Sequence, residues 1–283
     1  MILFKKAEDL YNYIADQQKK GKKAGFVPTM GALHEGHLSL IRQAGLENDL
    51  TVCSIFVNPT QFNDPADFDK YPITLEKDIA MLTGAGCHLL FLPSVAEMYP
   101  DGIKARMHYD LGFLETRLEG PFRPGHFQGV CMVVHRLLEI VHPDNLYLGQ
   151  KDFQQCMVIT RLTEIMGIND KTTIRICPTL RESDGLAMSS RNMRLSGQER
   201  QTAPVIYRTL LYIKNNIQPG DITGLQQKAV TDLELAGFRV DYADIADANT
   251  LAPVTNWDGR QPLVALVAAF LNEVRLIDNL LLS

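Results

Sequence analysis

Two histidines near the N-terminus, His34 and His37, flank Gly36 in the run Val27-Pro28-Thr29-Met30-Gly31-Ala32-Leu33-His34-Glu35-Gly36-His37. The run joins the end of an apolar strand pattern to the start of a helical pattern. Imidazoles can hydrogen-bond to phosphate oxygens, the amides of a helix start bind anions, and glycine lets the backbone approach a ligand closely. The run therefore predicts a site for the phosphates of a nucleoside triphosphate.

A zinc site is one alternative for this run. The zinc protease motif places its two histidines four residues apart, whereas His34 and His37 are three apart, and no further group of ligands accompanies them. The other alternative is a pair of polar histidines at a helix start with no chemical role. Gly31 and Gly36 on either side favour the phosphate site over that interpretation.

Two more segments follow strand patterns, where ligands bind in doubly wound folds. In Phe56-Val57-Asn58-Pro59-Thr60-Gln61-Phe62, the amide of Gln61 can donate and accept, which suits a hydroxyl or a carboxylate. In Leu148-Gly149-Gln150-Lys151-Asp152-Phe153-Gln154-Gln155, Lys151 stands at a helix start, where the helix dipole disfavours a cation unless an anion lies beside it. Gln155 follows one turn later. An ordinary polar loop and a surface lysine remain the alternatives.

A fourth segment is Arg181-Glu182-Ser183-Asp184-Gly185-Leu186-Ala187-Met188-Ser189-Ser190-Arg191-Asn192. Two hydroxyls and an arginine, those of Ser189, Ser190 and Arg191, can donate hydrogen bonds to a polyphosphate. We interpret it as a flexible loop at a hinge, and such loops can close over a bound nucleotide. Taken alone, a solvated loop between domains is the simpler interpretation.

Strand and helix patterns alternate through the first part of the chain, as expected if these segments are to be positioned at one edge of a sheet. Residues 24–28, 50–57, 87–92, 145–148 and 172–177 are predicted as strands, and residues 3–20, 36–48, 75–85, 125–141 and 152–166 as helices. The alternation predicts an α/β fold with a Rossmann-like, doubly wound parallel sheet. Right-handed crossovers would bring the carboxyl ends of the strands together.

The pattern changes after Pro178. Ser196-Gly197-Gln198-Glu199 is a capping box that predicts a helix to about residue 215. Residues 222–236 are predicted as another helix, and residues 240–245, 264–270 and 274–277 as strands. We therefore expect a Rossmann-like domain over residues 1–179 and a smaller α+β lid domain over residues 180–283.

The composition excludes several classes of protein. The chain has 283 residues and a net charge of −5, so it lacks the basic excess of a nucleic-acid binder. It has no apolar run of the roughly 18 to 20 residues that a membrane span needs, and no signal-peptide pattern. The five cysteines are scattered through apolar runs and are predicted to be reduced and buried. We expect a cytoplasmic enzyme that binds neither nucleic acid nor membrane.

Together the four segments resemble the pantothenate synthetase family, the pantoate–β-alanine ligases, and the resemblance covers nearly the whole chain. It is carried by residues 27–31 with His34 and His37, residues 56–59 with Gln61, and residues 123–127, 149–155 and 184–192. The two histidines alone indicate only the broader superfamily of HxGH nucleotidyltransferases, which includes adenylyltransferases and class I aminoacyl-tRNA synthetases. Met188-Ser189-Ser190-Arg191 stands where those synthetases have a mobile, lysine-rich loop.

The resemblance implies a ligation in two steps. ATP and pantoate first give pantoyl adenylate and pyrophosphate, and the amine of β-alanine then displaces AMP to give pantothenate. Negative charge builds on phosphoryl oxygens in the first step, and preorganised cationic donors stabilise it. The residues that the resemblance assigns to this task are His34, His37, Lys151, Ser190 and Arg191, with His37 as the proton donor.

The resemblance also implies the binding positions. Gln61 and Gln155 match the positions that hold pantoate, and Gln61 also neighbours the β-alanine site. The positions that match the family's ATP site are Met30, Gly31, Ala32, Leu33, His34, Glu35, Gly36, His37, Gly149, Gln150, Lys151, Asp152, Leu180, Met188, Ser189, Ser190 and Arg191.

Mg²⁺ is expected to accompany the triphosphate. In the family it lies near an acidic segment that matches Glu76-Lys77-Asp78, and Lys77 stands where some members have an acid, which leaves Asp78 as the candidate metal ligand. Members of the family are homodimers, so a homodimer is expected here. Glu119 and Arg123 are interpreted as structural or close to a dimer interface, and His126 as a cap of the long helix.

Two other functions remain as alternatives. An adenylyltransferase of the same superfamily would transfer AMP to a phosphate ester and stop there, and it gives no reason for the pair Gln61 and Gln155. A non-catalytic regulator would bind ATP without turnover. The density of side chains suited to charge stabilisation argues against it.

Overall fold

The computed structural model describes residues 1–62, 68–102 and 107–282. The chain forms two compact units. The first consists of Met1–Gly149 and Gln155–Pro178, and the second of Gln150–Gln154 and Thr179–Ser283. The short segment Gln150–Gln154 therefore belongs with the second unit although both of its neighbours in sequence belong with the first.

The first unit is built on a six-stranded sheet in which every pairing is parallel. The strands are β1 (Ile2–Phe4), β2 (Ala24–Thr29), β3 (Leu50–Ile55), β4 (Leu89–Phe91), β5 (Asn145–Gly149) and β6 (Thr173–Cys177), in the spatial order β1-β4-β3-β2-β5-β6. The helices are α1 (Ala7–Lys19), α2 (Glu35–Glu47), α3 (Leu75–Gly84), α4 (Val95–Met98), α5 (Glu119–Phe122), α6 (His126–Val141) and α7 (Phe153–Ile165).

The sheet is held between its helices by apolar burial on both faces. All six residues of β3 are buried, as expected for a central strand of a parallel sheet that helices cover on each side. On α1, Leu10 and Ile14 face the core, and on α2 the inward side chains include Leu38 and Ile41. These helix faces agree with the spacing of apolar residues in the sequence.

The strand order reverses between β2 and β5. The chain leaves β2 towards β3 on one side of the sheet and leaves β5 towards β6 on the other. In open α/β sheets, a crevice forms at such a point outside the carboxyl ends of the strands, and ligands bind there. The segment that contains His34 and His37 directly follows β2, and Gly149 ends β5.

The second unit is an α+β structure around an antiparallel sheet with the order β11-β10-β8. Its elements are α8 (Gly197–Thr202), α9 (Val205–Asn216), β7 (Gly220–Asp221), α10 (Thr223–Leu235), β8 (Arg239–Asp247), β9 (Asn256–Trp257), β10 (Leu263–Leu271) and β11 (Val274–Leu281). The capping box predicted at Ser196 and Glu199 is present. The predicted fold class, a doubly wound parallel sheet followed by a smaller α+β part, is confirmed.

Two of the differences from the sequence prediction have a clear structural reason. Leu3 and Phe4 belong to strand β1 rather than to the first helix, because they pair with Leu90 and Phe91 at the edge of the sheet. The helix predicted from Ser196 to about residue 215 is interrupted, since α8 ends at Thr202 and α9 begins after Pro204. Proline lacks the amide that a continuous helix would need at that position.

Two of the sequence predictions concern membrane-spanning helices and the state of the cysteines. No helix among residues 1–62, 68–102 and 107–282 is long and apolar enough to cross a membrane. The five cysteines are thiols, and burial raises the pKa of Cys87 to about 11 and that of Cys131 to about 12. Burial also raises the pKa of Cys53 well above its usual value. These three thiols are therefore not nucleophiles near neutral pH.

Candidate active site

The turn between β2 and α2 has a left-handed backbone at two consecutive residues. Gly31 has a φ of 81° and Ala32 a φ of 48°. Only glycine adopts such angles at little cost, so Ala32 is strained and must be held by its surroundings. The hydroxyl of Thr29 donates to the carbonyl of Ser54 at 2.7 Å and accepts from the amide of Gly31 at 3.2 Å. These bonds fix the start of the turn to β3.

Asp78, on α3, fixes the rest of the turn. Its Oδ2 accepts the amide of Ala32 at 2.9 Å, and its Oδ1 accepts the amide of Leu33 at 2.8 Å. The hydroxyl of Thr74 donates to Oδ1 at 3.0 Å, and the Asp78 side chain is fully buried. Charge-assisted bonds of this kind, away from water, stabilise the strained backbone at Ala32.

The two imidazoles stand together at the amino end of α2. His34 is the N-cap residue, His37 is the third residue of the helix, and their ring centroids are 4.0 Å apart. The amide of His34 donates to Nδ1 of His37 at 3.4 Å. Because an amide can only donate, Nδ1 of His37 must accept, and neutral His37 carries its proton on Nε2. Both side chains are half-buried, which leaves part of each ring accessible.

Glu35 and Leu33, the two residues next to His34, differ in the exposure of their side chains. Glu35 is exposed, and its Oε2 forms a salt bridge with Arg42 at 3.0 Å. Leu33 is buried and packs with Val27 and Ile55 under the turn. The predicted ATP contacts of these two positions, like those of Ala32 and Gly36, would therefore be made by main-chain atoms rather than side chains.

Gln61 lies in a single helical turn, Pro59–Gln61, after β3. Its Nε2 contacts Sδ of Met30 at 2.9 Å, so the turns after β2 and β3 meet at these two side chains. Its Oε1 accepts from Nδ2 of Asn58 at 3.3 Å. Asn58 is fully buried, and its Oδ1 accepts from the hydroxyl of Tyr99 at 2.8 Å. The amide of Gln61 is thus held by side chains that are themselves fixed.

The backbone of Gln61 is also held, by His126 at the start of α6. Nδ1 of His126 donates to the carbonyl of Gln61 at 2.7 Å, and Nε2 of the same ring accepts from Arg123 at 3.0 Å. The N-cap of α6 is Gly125, with a φ of 77°. The prediction that His126 caps this helix was therefore wrong, and its ring is instead hydrogen-bonded to the carbonyl of Gln61. Glu119 lies 3.8 Å from Arg123 and is buried, which makes both residues part of this support.

Gly129 contacts the backbone of Thr60 and Gln61, and this contact was not predicted from the sequence. A Cβ atom on this residue would overlap the carbonyl of Thr60 and lie 2.8 Å from Cα of Gln61. Helix α6 therefore packs against the turn Pro59–Gln61 with backbone in contact with backbone, which only glycine allows. A glycine within an apolar helix is the signal that was available, since it costs helix stability unless packing requires it.

We expect Gly129→Ala to lower the free energy of unfolding by about 1–3 kcal/mol, because the added methyl group must separate α6 from the turn that carries Gln61. Urea unfolding measures the change. Gly84→Ala is the matched control, because nothing lies within 4 Å of a Cβ atom on that helical glycine. An unchanged midpoint for Gly129→Ala would contradict the close packing.

Lys151 lies in the turn Gln150–Asp152, between the end of β5 and the start of α7. Its side chain is 17% exposed, and its Nζ lies 3.8 Å from Oδ1 of Asp152. The side chain of Asn279, on β11, donates to the main chain of this turn. Gly149 ends β5, and its carbonyl accepts from the thiol of Cys156 at 3.4 Å. Gln155 is half-buried on α7.

The segment predicted as a flexible loop is in large part a hydrogen-bonded hairpin. The amide of Met188 donates to the carbonyl of Leu180 at 3.0 Å, and that of Glu182 to the carbonyl of Leu186 at 2.8 Å. The hairpin turns at Gly185, which has a φ of 92°. Arg181 and Ala187 form a β-bridge within it, an order that the sequence pattern did not predict, and the flexibility of residues 181–192 stays a prediction.

The donors predicted for a polyphosphate follow the hairpin in the turn Ser190–Arg194. Ser189 is the N-cap of this turn, and its Oγ accepts the amide of Arg191 at 3.3 Å. Nδ2 of Asn192 donates to the carbonyl of Ala187 at 3.0 Å, which ties the turn to the hairpin. Ser190 is buried and Arg191 is half-buried.

The predicted metal ligand does not belong to a cluster of ligands. Within the described ranges, no group of three or more histidine, cysteine, aspartate or glutamate side chains is placed to hold a metal ion. Both oxygens of Asp78 accept backbone amides. The donor set therefore does not fit a metal site made by protein side chains, and the Mg²⁺ expected with ATP is assigned no protein ligand.

The predicted site residues thus fall into two groups by compact unit. In the first unit, residues 30–37 follow β2, Gln61 follows β3, Gly149 is the last residue of β5, and Gln155 lies on α7. In the second unit, Gln150–Asp152 and residues 180–191 share a support on β11. Their individual roles remain predictions.

Comparisons with known proteins identify the family of the chain. A family model described as pantoate-beta-alanine ligase matches residues 2–281. Pantothenate synthetase of Pseudomonas fluorescens is 49% identical, over 100% of this chain and 98% of its own, and that of Cytophaga hutchinsonii is 44% identical, over 100% and 99%.

Two solved structures are similar over nearly the whole chain. Pantothenate synthetase of Thermus thermophilus has a TM-score of 0.91 at 41% identity, with 99% of each chain covered. Pantoate-beta-alanine ligase of Francisella tularensis, complexed with beta-gamma ATP and beta-alanine, has a TM-score of 0.82 at 39% identity, with 99% of this chain and 97% of that chain covered. The chain is therefore an enzyme of the pantoate–β-alanine ligase family.

Proposed function

We propose that this enzyme ligates pantoate to β-alanine with ATP, through a pantoyl adenylate, and releases AMP and pyrophosphate. The observation that carries the proposal is the pair of imidazoles, His34 and His37, at the amino end of α2, directly after the strand at which the sheet order reverses. That is the position at which an open α/β sheet binds phosphates. The complex of the Francisella relative with ATP and β-alanine supports these two substrates.

In the first step, a carboxylate oxygen of pantoate bonds to the α-phosphorus of ATP. The bond from that phosphorus to the bridging oxygen breaks, and pyrophosphate leaves with the electron pair. Negative charge grows on the phosphoryl oxygens, so donors that are already in place lower the barrier. We assign Nε2–H of His37, the imidazole of His34 and the cations Lys151 and Arg191 to these oxygens. The hydrogen bond at Nδ1 of His37 supports this assignment, because it leaves the proton on Nε2.

Pantoate must present its carboxylate to the α-phosphorus in line with the leaving group. We assign this task to Gln61 and Gln155, whose amides can bind a hydroxyl and a carboxylate at the same time. The side chain of Gln61 is held by Met30 and Asn58, and its carbonyl by His126. Such support matters because the rate depends on the orientation of the reacting atoms to within a fraction of an ångström.

In the second step, the amine nitrogen of β-alanine bonds to the acyl carbon of pantoyl adenylate. The bond from that carbon to the phosphate oxygen breaks, the nitrogen loses a proton, and AMP leaves. No covalent bond to the protein is needed in either step. Positioning and charge stabilisation therefore account for the role of the side chains in this proposal.

We propose that Mg²⁺ reaches the enzyme bound to the phosphates of ATP, since its preferred ligands are oxygens and it keeps few protein ligands in nucleotide sites.

We also propose that the enzyme is a cytoplasmic homodimer. The five thiols suit a reducing compartment, and burial keeps three of them un-ionised. Sedimentation or light scattering at several concentrations tests the oligomeric state, and a monomer at every concentration would contradict it.

The proposed reaction predicts that purified enzyme with ATP, Mg²⁺, pantoate and β-alanine forms AMP and pantothenate in equal amounts. Chromatography of the nucleotides and mass spectrometry of the amide measure both products. Omission of pantoate is the control and should stop AMP release, because the acyl adenylate cannot form. Formation of ADP, or AMP release without pantoate, would contradict the proposal. Exchange of pyrophosphate into ATP without amide formation would favour the adenylyltransferase alternative.

A further inference from the structure

Strand β11 carries two adjacent polar side chains in an otherwise apolar part of the second unit. Asp278 is 5% exposed and Asn279 is 2% exposed. Both pair with apolar residues of β10, Asp278 with Val267 and Asn279 with Leu266. A buried charge and a buried amide cost free energy unless they are hydrogen-bonded, so their partners indicate why they are there.

The partners of the Asn279 side chain are all in the turn that contains Lys151. Its Nδ2 donates to the carbonyl of Gln150 at 2.9 Å and to the carbonyl of Lys151 at 2.8 Å. Its Oδ1 accepts from Nε2 of Gln150 at 3.3 Å. One buried amide thus fixes the main chain of two consecutive residues, and both of its donor hydrogens are used.

The partner of Asp278 is Arg181, at the base of the hairpin. Nη1 and Nη2 of Arg181 donate to the two carboxylate oxygens at 2.5 and 3.0 Å. Nη2 also donates to the carbonyl of Asn279 at 3.1 Å, and the guanidinium carbon lies 4.0 Å from the ring centroid of Tyr207. The amide of Asn279 donates to Asp278 at 2.7 Å. The hairpin is therefore attached to Asp278 and Asn279, and the turn that contains Lys151 is attached to Asn279 of the same strand.

We propose that Asn279 is a positioning residue for Lys151, and the proposal rests on the proposed function, in which Lys151 binds the phosphates of ATP. A lysine ammonium sits on a flexible four-carbon stem, so its place depends on where the main chain holds the first carbon. The segment Gln150–Asp152 is a single 3₁₀ turn of three residues, and the side chain of Asn279 donates hydrogen bonds to the carbonyls of two of them.

The test is a double-mutant cycle of Asn279→Ala and Lys151→Ala, measured by pantoate-dependent exchange of pyrophosphate into ATP. We expect Asn279→Ala to lower kcat/KM for ATP by about 100-fold, as a displacement of about 1 Å in a catalytic group can do. If Asn279 acts through Lys151, the double variant is no slower than Lys151→Ala alone. A loss of stability would give no such coupling.

Asn216→Ala is the matched control, because Asn216 is exposed at the end of α9 in the same unit and should leave exchange unchanged. Asn279→Asp, which has the same shape but lacks the two donor hydrogens, replaces Asn279→Ala if the latter does not fold. Independent, multiplying losses in the cycle would overturn the proposal, as would normal exchange in either Asn279 variant or the failure of both to fold. Absence of pantoate-dependent exchange in the unaltered enzyme would instead refute the proposed function.

Discussion

His37→Ala is expected to lower pantoate-dependent pyrophosphate exchange by about a thousandfold, within the range found for removal of a positioned proton or hydrogen-bond donor. The variant should keep its fold, because the His37 ring is half-buried and its hydrogen bond with the amide of His34 is long, at 3.4 Å. Water can replace that bond at an accessible site. Circular dichroism and thermal unfolding measure the fold, and radioactive pyrophosphate incorporation measures exchange.

Two further variants sharpen this result. His108→Ala is the control, since His108 is exposed and lies outside the candidate site. His37→Gln places an amide donor near the position of Nε2, so it separates two roles for His37. Recovery of much of the exchange by His37→Gln would indicate that His37 acts as a hydrogen-bond donor, and no recovery would indicate proton transfer. Near-normal exchange in His37→Ala would refute both roles.

The sheet and its order of elements were predictable because each buried strand and each helix face has a local pattern of apolar residues. Helix α2 shows the pattern well, with Leu38 and Ile41 on its buried face. Strand β1 was missed because it has only three residues, of which Ile2 and Leu3 are exposed, and it lies at the edge of the sheet. Its structure depends on β4, nearly ninety residues further along the chain, and no local pattern contains that information.

The sequence also predicted that segments with glycine, histidine and lysine follow strand ends, and their role in phosphate binding stays a prediction. What the sequence did not reveal is the support behind them. Asn279 lies 128 residues from Lys151, and His126 lies 65 residues from Gln61. The available signals were weak: polar Asp278 and Asn279 in an apolar strand, and a glycine in an apolar helix. Their partners follow only from the tertiary structure.

The family resemblance and the structure predict different roles for Asp78. The resemblance makes Asp78 a candidate ligand of Mg²⁺, whereas the structure shows both of its oxygens accepting amides of the turn that contains Ala32 and Leu33. Removal of the carboxylate would leave two buried amides without acceptors, at a cost of about 1–3 kcal/mol for each. It would also release the left-handed backbone at Ala32, which leads directly to His34.

We therefore expect Asp78→Ala to lower the free energy of unfolding by about 3 kcal/mol in the absence of ATP and metal, and to reduce pyrophosphate exchange at every Mg²⁺ concentration. Asp78→Asn should be intermediate, because its oxygen can accept one amide while its NH₂ group faces the other. Urea unfolding in the presence of EDTA measures the first effect. Glu76→Gln is the matched control, since Glu76 is exposed on the same turn of α3.

A metal ligand would behave in the opposite way in both measurements. Its removal would relieve a buried negative charge, so unfolding in EDTA would be unchanged or shifted to higher urea. Activity would return as the Mg²⁺ concentration is raised, because the lost ligand weakens binding of the ion rather than the turn. Recovery by Mg²⁺ with normal stability would show that Asp78 binds the metal. We expect instead that Asp78→Ala loses stability and that Mg²⁺ does not restore it, because the variant lacks the acceptor of the amides of Ala32 and Leu33.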